Sequence, residues 1–227
     1  MRRTLTLVMT ALPALASAQG APALTTEKEK LSYAMGMDLG VQLKSRSVEI
    51  DPALFGRGLA DALSGGKTLL TEDEAKAVIS ELQKTMAVKQ AAAAKLAGES
   101  NRAEAEAFLA ANKARPDVVT LPSGLQYRIL TAGAGKTPTL ADTVVCQYRC
   151  SLVSGKEVDS SYKRGQPVTL AVKGAIKGWT EALQLMPAGS KWQLFVPPDL
   201  AYGPRGGGGD IGPNAALVFE IELLAIQ

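Results

Sequence analysis

The chain contains no histidine, and its only cysteines, Cys146 and Cys150, stand four residues apart. Lack of imidazole removes histidine zinc sites, Ser-His-Asp and Cys-His nucleophiles, and any side chain whose ordinary pKa lies near neutrality. Serines and lysines are present, yet none sits in a G-x-S-x-G elbow or in an S-x-x-K arrangement with the partners it requires, and no glycine-rich loop ends in Lys-Ser/Thr to hold phosphate. The run at 206–209 is four glycines, but it follows YGPR (202–205) instead of leading from a strand into a helix, so it reads as a connection between strands. The two cysteines fall in VVCQYRCSL (144–152), which alternates like a strand. Positions i and i+4 of a strand lie ~13 Å apart, beyond the reach of a disulfide. Both read as small core residues, with a redox or intermolecular role as the alternative. No metal and no cofactor is expected, which leaves non-covalent chemistry in an apolar pocket.

The elements that must position such a pocket divide the chain in two. Residues 67–115 contain no proline and one glycine, Gly98, whereas nine of the twelve prolines and eight of the eleven aromatics lie at or beyond Pro116. Ahead of both, Arg2 and Arg3 precede an apolar run at 5–16 and a small-x-small site at Ala16-Ser17-Ala18. This is the pattern of an export signal, with cleavage expected after Ala18 and an apolar core shorter than the ~20 residues that span a bilayer. The periplasm is the expected destination, with outer-membrane association or secretion as variants, and no later stretch reads as a membrane span. Of the whole chain's 25 basic and 22 acidic residues, 23 and 22 remain without residues 1–18. That balance does not support nucleic-acid binding.

Helical signals fill the first half. Thr25 or Thr26 caps a helix reaching about Lys44, Asp51-Pro52 opens a second that ends at Gly65-Gly66, and TEDE (71–74) starts a third running to about Asn112. The third is polar over much of its length, and the stretch 99–106 offers little to bury. So few large apolar residues make a poor three-helix core, which favours a homodimer built from residues 24 to about 90, with Tyr33, Met35, Met37 and Leu39 as interface candidates; an intrachain bundle is the alternative. The second half alternates at period two over 124–130, 143–152, 166–172, 191–196 and 215–224, and only 177–185 has helical spacing. The expected architecture is α+β: an all-helical dimerisation domain with a long connecting helix (19–115, after a signal peptide at 1–18), then an antiparallel sheet wrapped on one short helix (116–227).

Four motifs in the second half, KEVDSSY (156–162), IKGWTEAL (176–183), PDLAYG (198–203) and LVFEIELL (217–224), resemble in order and spacing those of FKBP-type peptidyl-prolyl cis-trans isomerases. The first half, with LSYAMGMDLG (31–40), resembles the dimerisation domain of the exported two-domain members, the FkpA and macrophage-infectivity-potentiator type. The resemblance implies proline-containing polypeptides as clients and macrolides as inhibitors. Its pocket carries over with Trp179 as floor and Tyr148, Val168, Ile176 and Phe219 as walls. The Ile176 N–H and Tyr202 hydroxyl would bind peptide carbonyls, and Asp159 would stand beside the twisting amide, held by Arg164 and Tyr148. Ala175, Ala201 and Ile211 complete the substrate contacts. Two departures stand out: Val158 where the family is usually aromatic, and Asp210, a charge expected near the apolar cleft. They imply a weaker isomerase with an altered preference before proline, and keep alive a binding chaperone with little or no isomerase activity. Cys150 replaces a frequent glycine.

Overall fold

The computed structural model describes residues 23–227, so the export segment and its cleavage site lie outside the described residues. It separates into two compact units dividing between Asp73 and Glu74.

In the first unit, helix α1 (Glu27–Ser45) begins at a capping box. The Thr26 hydroxyl accepts from Glu29 N–H at 3.2 Å, and the Glu29 carboxylate accepts from Thr26 N–H at 2.9 Å. Helix α2 (Pro52–Ser64) starts where Asp51 Oδ1 accepts from the N–H groups of Ala53 and Leu54, and stops at Gly65, whose φ of 66° suits a residue without Cβ. Neither helix buries a single residue. Tyr33, Met35, Met37, Leu54, Leu59 and Leu63 all stand more than half exposed.

Helix α3 (Glu72–Lys113) is continuous, and Gly98 does not break it. All but its first two residues belong to the second unit, and there its C-terminal part packs on the sheet. Gly98, Ala105 and Asn112 are buried at helical spacing, and the ring of Phe108 lies 5.9 Å from that of Phe195. Buried Asn112 and Gln126 satisfy one another, Asn112 Nδ2 donating to Gln126 Oε1 at 2.8 Å while Gln126 Nε2 donates to the Leu109 carbonyl. Within the stretch 99–106, expected to have little to bury, Ala105 alone is buried, and with Gly98 and Asn112 on either side it makes a face of small and amide-bearing residues that let backbones approach closely.

Seven strands form one antiparallel sheet: β1 (Val119–Thr120), β2 (Gln126–Thr131), β3 (Thr143–Leu152), β4 (Glu157–Ser160), β5 (Val168–Ala171), β6 (Lys191–Val196) and β7 (Leu217–Ile226). The order is β1-β2-β6-β7-β3-β4, and β5 pairs with the first half of β3 while β4 pairs with the second. β1 and β4 carry no sequence signal of their own. Strand β4, with the sequence EVDS, exists because β3 offers it a partner. Leu217, Phe219, Ile221 and Leu223 alternate into the core from β7. Helix α4 (Lys177–Leu183) covers that face with Trp179, Ala182 and Leu183, and Met186 follows just beyond. Gly178 lets α4 approach β6: a Cβ there would stand 2.6 Å from Val196 Cγ1 and 3.4 Å from the Leu200 carbonyl. Gly178→Ala should cost about 1–3 kcal/mol by overpacking a stiff β-branched neighbour, read as a lower Tm in thermal unfolding.

Candidate active site

A hollow of about 460 Å³ opens between the start of α4, strands β3, β4, β5 and β7, and the loop before β7. Trp179, in the first turn of α4, is 5% exposed and lines it. The indole meets Tyr148 edge-on with centroids 5.1 Å apart at 85°, and Phe219 at 5.4 Å and 81°. Such edge-to-face pairs are worth about 0.5–1.5 kcal/mol beyond area burial and restrict the rings to one arrangement. The walls are Val168 and Leu170 from β5, Gly174, Ala175 and Ile176 from the segment entering α4, and Tyr202 and Ile211 from the loop. Among the described residues the Ile176 N–H donates to no backbone carbonyl.

One row of the sheet crosses the site. Asp159 on β4 pairs with Cys150 on β3, which pairs in turn with Phe219 on β7. All three line the hollow. Tyr148, two residues before Cys150, shares its face. The Tyr148 hydroxyl donates to Asp159 Oδ2, Arg164 Nη1 donates to Asp159 Oδ1, and Arg164 Nη2 donates to the Tyr148 oxygen at 2.7 Å. The Ser160 N–H adds a bond to Asp159 Oδ1 at 2.8 Å. Burial alone would raise the Asp159 pKa, but hydrogen bonds from Tyr148, Arg164 and Ser160 outweigh it, and the carboxyl lies below the usual aspartate value. Desolvation raises Tyr148 and Tyr202 above the usual phenol value and pushes the Cys150 thiol up to about 12. Arg164 is raised by its bonds to Tyr148 and Asp159.

Of the residues expected at the site, Tyr148, Asp159, Val168, Ala175, Ile176, Trp179, Tyr202, Ile211 and Phe219 converge on this hollow. Val158 and Ala201 instead pack against the core cluster, and Arg164 is set back behind Tyr148 and Asp159. Asp210 does not charge the cleft: its carboxylate turns to Lys156 Nζ at 2.7 Å, outside the lining. Sequence reasoning missed Leu170, Gly174 and the position of Cys150 within the site. The strand period does put Cys150 on the face of Tyr148, and that was the available signal. Cys146 and Cys150 are free, buried thiols.

Residues 28–129 match the family described as the domain amino terminal to FKBP-type peptidyl-prolyl isomerase, and residues 135–224 match the FKBP-type peptidyl-prolyl cis-trans isomerase family. The chain is 48% identical over 211 residues to the outer membrane protein MIP of Legionella longbeachae, covering 93% of this chain and 91% of that one. It is 43% identical to the peptidyl-prolyl cis-trans isomerase Mip of Coxiella burnetii, with 93% and 92% covered.

The chain belongs to the FKBP-type peptidyl-prolyl cis-trans isomerases.

The crystal structure of FkpA from Escherichia coli superposes on 90% of this isomerase and 99% of that chain, with a TM-score of 0.65 at 31% identity. The reaction asks little of acid or base. An X-Pro amide resists rotation by ~18–20 kcal/mol because of its resonance, and the twisted form has lost that resonance, with no bond to carbon made or broken. An apolar hollow that displaces water from the amide, with a few fixed donors, is sufficient chemistry. The site's groups accordingly do not titrate near neutrality. Asp159 stays ionised, and both tyrosines and Cys150 stay protonated. The isomerase should therefore show a level kcat/KM between about pH 5 and 8.5 in an exchange assay. Because the folded pKa of Asp159 is depressed, its stabilising contribution is present above the unfolded value of ~3.9 and lost as pH falls through the folded value.

Proposed function

We propose that this isomerase works on exported polypeptides in the periplasm or at the outer membrane, as a homodimer joined through its helical unit, with the Trp179 hollow as the site of rotation. The observation that carries the catalytic reading is the indole held edge-on by Tyr148 and Phe219 beneath an opening bordered by Tyr202. In this reading a proline ring rests on Trp179, the Ile176 N–H and the Tyr202 hydroxyl hold peptide carbonyls, and the Asp159 carboxylate faces the twisting amide. Arg164 and Tyr148 keep that carboxylate charged and oriented. Ala175, Val168 and Ile211 contact the residues flanking proline, with Val158 and Ala201 supporting from behind. Macrolides of the kind that fit an apolar cup of this size are the expected inhibitors.

Export is supported by the basic start, apolar run and small-residue site at residues 1–18, and by the name of the Legionella relative. Among the described residues no helix is long and apolar enough to cross a membrane. Dimerisation is supported by the first unit, in which two well-capped helices bury nothing. A groove of about 670 Å³, bordered by Leu39, Leu43, Val48, Ile50 and Phe55, runs along them. Exposed apolar surface on this scale needs a partner, and a second copy supplies the same surface in return.

Trp179→Leu should lower kcat/KM on a proline tetrapeptide by roughly 10- to 100-fold in NMR exchange spectroscopy, because the ring that positions proline is lost. A variant as active as the parent would refute the pocket assignment. Val158 is half-buried next to Asp159, so the larger ring of Val158→Phe should extend from behind the lining to its rim and raise kcat/KM, most for a bulky residue before proline; an unchanged or lower value counts against it. Phe55→Glu with Leu59→Glu should convert a dimer to a monomer in sedimentation, while tetrapeptide turnover stays within about twofold and refolding of a multi-proline client slows. Intact dimers would indicate a different interface, and loss of client binding from a chain already monomeric would assign the groove to clients.

A further inference from the structure

The loop 202–214, which brings Tyr202 and Ile211 to the hollow, contains six glycines in thirteen residues. Such a segment has little conformational preference of its own, so its position over the site must be imposed. Part of that constraint is internal. Asn214 N–H donates to the Gly203 carbonyl at 2.8 Å, and Gly207 N–H to the Ile211 carbonyl at 3.0 Å. A Cβ at Gly207 would stand 3.0 Å from the Tyr202 ring, so this glycine lets the loop close onto the phenol. These bonds shape the loop without fixing it to the rest of the unit.

Beside the packing of Ile211 on the core cluster, two polar attachments to the rest of the unit remain among the described residues. One is the Lys156–Asp210 ion pair, whose side chains are 57% and 56% exposed, a setting in which such pairs contribute little. The other is helix α3. Asn101 Nδ2 donates to the Pro213 carbonyl at 2.8 Å, and Asn214 Nδ2 donates back to the Gly98 carbonyl at 3.2 Å. Contact is close enough that a Cβ would be crowded on either side. A Cβ on Gly98 would lie 3.2 Å from Pro213 Cβ, and one on Gly212 would lie 3.0 Å from Asn101 Nδ2. Asn214 itself has a φ of 54°, a left-handed conformation that asparagine tolerates better than most residues and that its bond to α3 helps hold.

We propose that Asn101 is a positioning residue for isomerisation: through Pro213 and Asn214, helix α3 fixes the loop that holds Tyr202 and Ile211 over the hollow. The inference rests on the pocket reading above. It gives Gly98, the one glycine of α3, a purpose beyond being tolerated in a helix: it admits Pro213.

The test uses the full chain. Asn101→Asp keeps the side chain's shape and removes its donor, so it should lower kcat/KM on a proline tetrapeptide by about 3- to 10-fold and speed hydrogen exchange at the Gly207 and Asn214 amides. The control is Asn112→Ala, which breaks a buried bond of the same helix away from the loop. It should lower Tm yet leave kcat/KM within about twofold. Asn101→Asp with parental kcat/KM and unchanged exchange would overturn the proposal, and so would equal catalytic losses in both variants, which would mean generic helix docking. Should Asn101→Asp fail to fold, Gly98→Ala decides instead, with its Cβ pressing on Pro213; parental kcat/KM in that variant would refute the coupling. Trp179→Leu keeps the two readings apart. Its retention of activity sinks the pocket assignment, whereas its loss of activity beside a fully active Asn101→Asp sinks only the coupling.

Discussion

An indole edge-packed between two other rings is an expensive thing to leave beside an open hollow, and the geometry of the second unit follows from keeping it there. Trp179 meets Tyr148 and Phe219 nearly at right angles, so each ring presents its edge to another's face and none can slide to fill the space. Tyr148 and Phe219 come from neighbouring strands, β3 and β7, and α4 must dock at a fixed height for Trp179 to reach between them. Gly178 permits that height by letting α4 lie against Val196. The hollow is thus what remains when three aromatic side chains lock one another before the space above them is filled.

The polar side of the site obeys a different constraint. A carboxylate at the rim of an apolar hollow is pushed toward protonation by burial, and Asp159 resists because three donors converge on it. The same cluster holds Tyr148 by its hydroxyl while Trp179 holds it by its ring. One residue therefore ties the charged and apolar halves together. Cys150 lies in the same sheet row between Asp159 and Phe219, where a small side chain leaves the hollow open. Its thiol, pushed to about 12, stays uncharged at neutral pH and is no nucleophile there.

Much of this was legible in advance because local rules were obeyed locally. The caps at Thr26 and Asp51, the stop at Gly65, and the period-two runs of β3, β6 and β7 each depend on neighbours in the chain. Part of the pocket was readable for another reason: Asp159, Ile176, Trp179, Tyr202 and Phe219 fall in four motifs whose spacing resembles a known family. Where expectation and structure part, the missing information lay across the chain. Strand β4 is four residues with two acids and forms only because β3 pairs with it. Asp210 looked like a charge in the cleft until Lys156, far off in sequence, turned it away. The face of α3 at Gly98, Ala105 and Asn112 adds to the ring of Phe108 only small and amide-bearing residues, too little apolar periodicity to mark it in advance.

Residue types and spacing alone therefore determined that no histidine, G-x-S-x-G elbow or phosphate loop is available and that helices precede a sheet. These follow from inventory and from periodicities a few residues long. The tertiary structure alone decided which side chains border the hollow, where the charges of Asp159 and Asp210 point, and that α3 grips the loop of Tyr202 and Ile211. Those are contacts between residues up to 116 positions apart, as between Gly98 and Asn214. Hydrogen bonds and packing act over a few ångströms of space, and no regularity along the chain encodes which distant segments are brought that close.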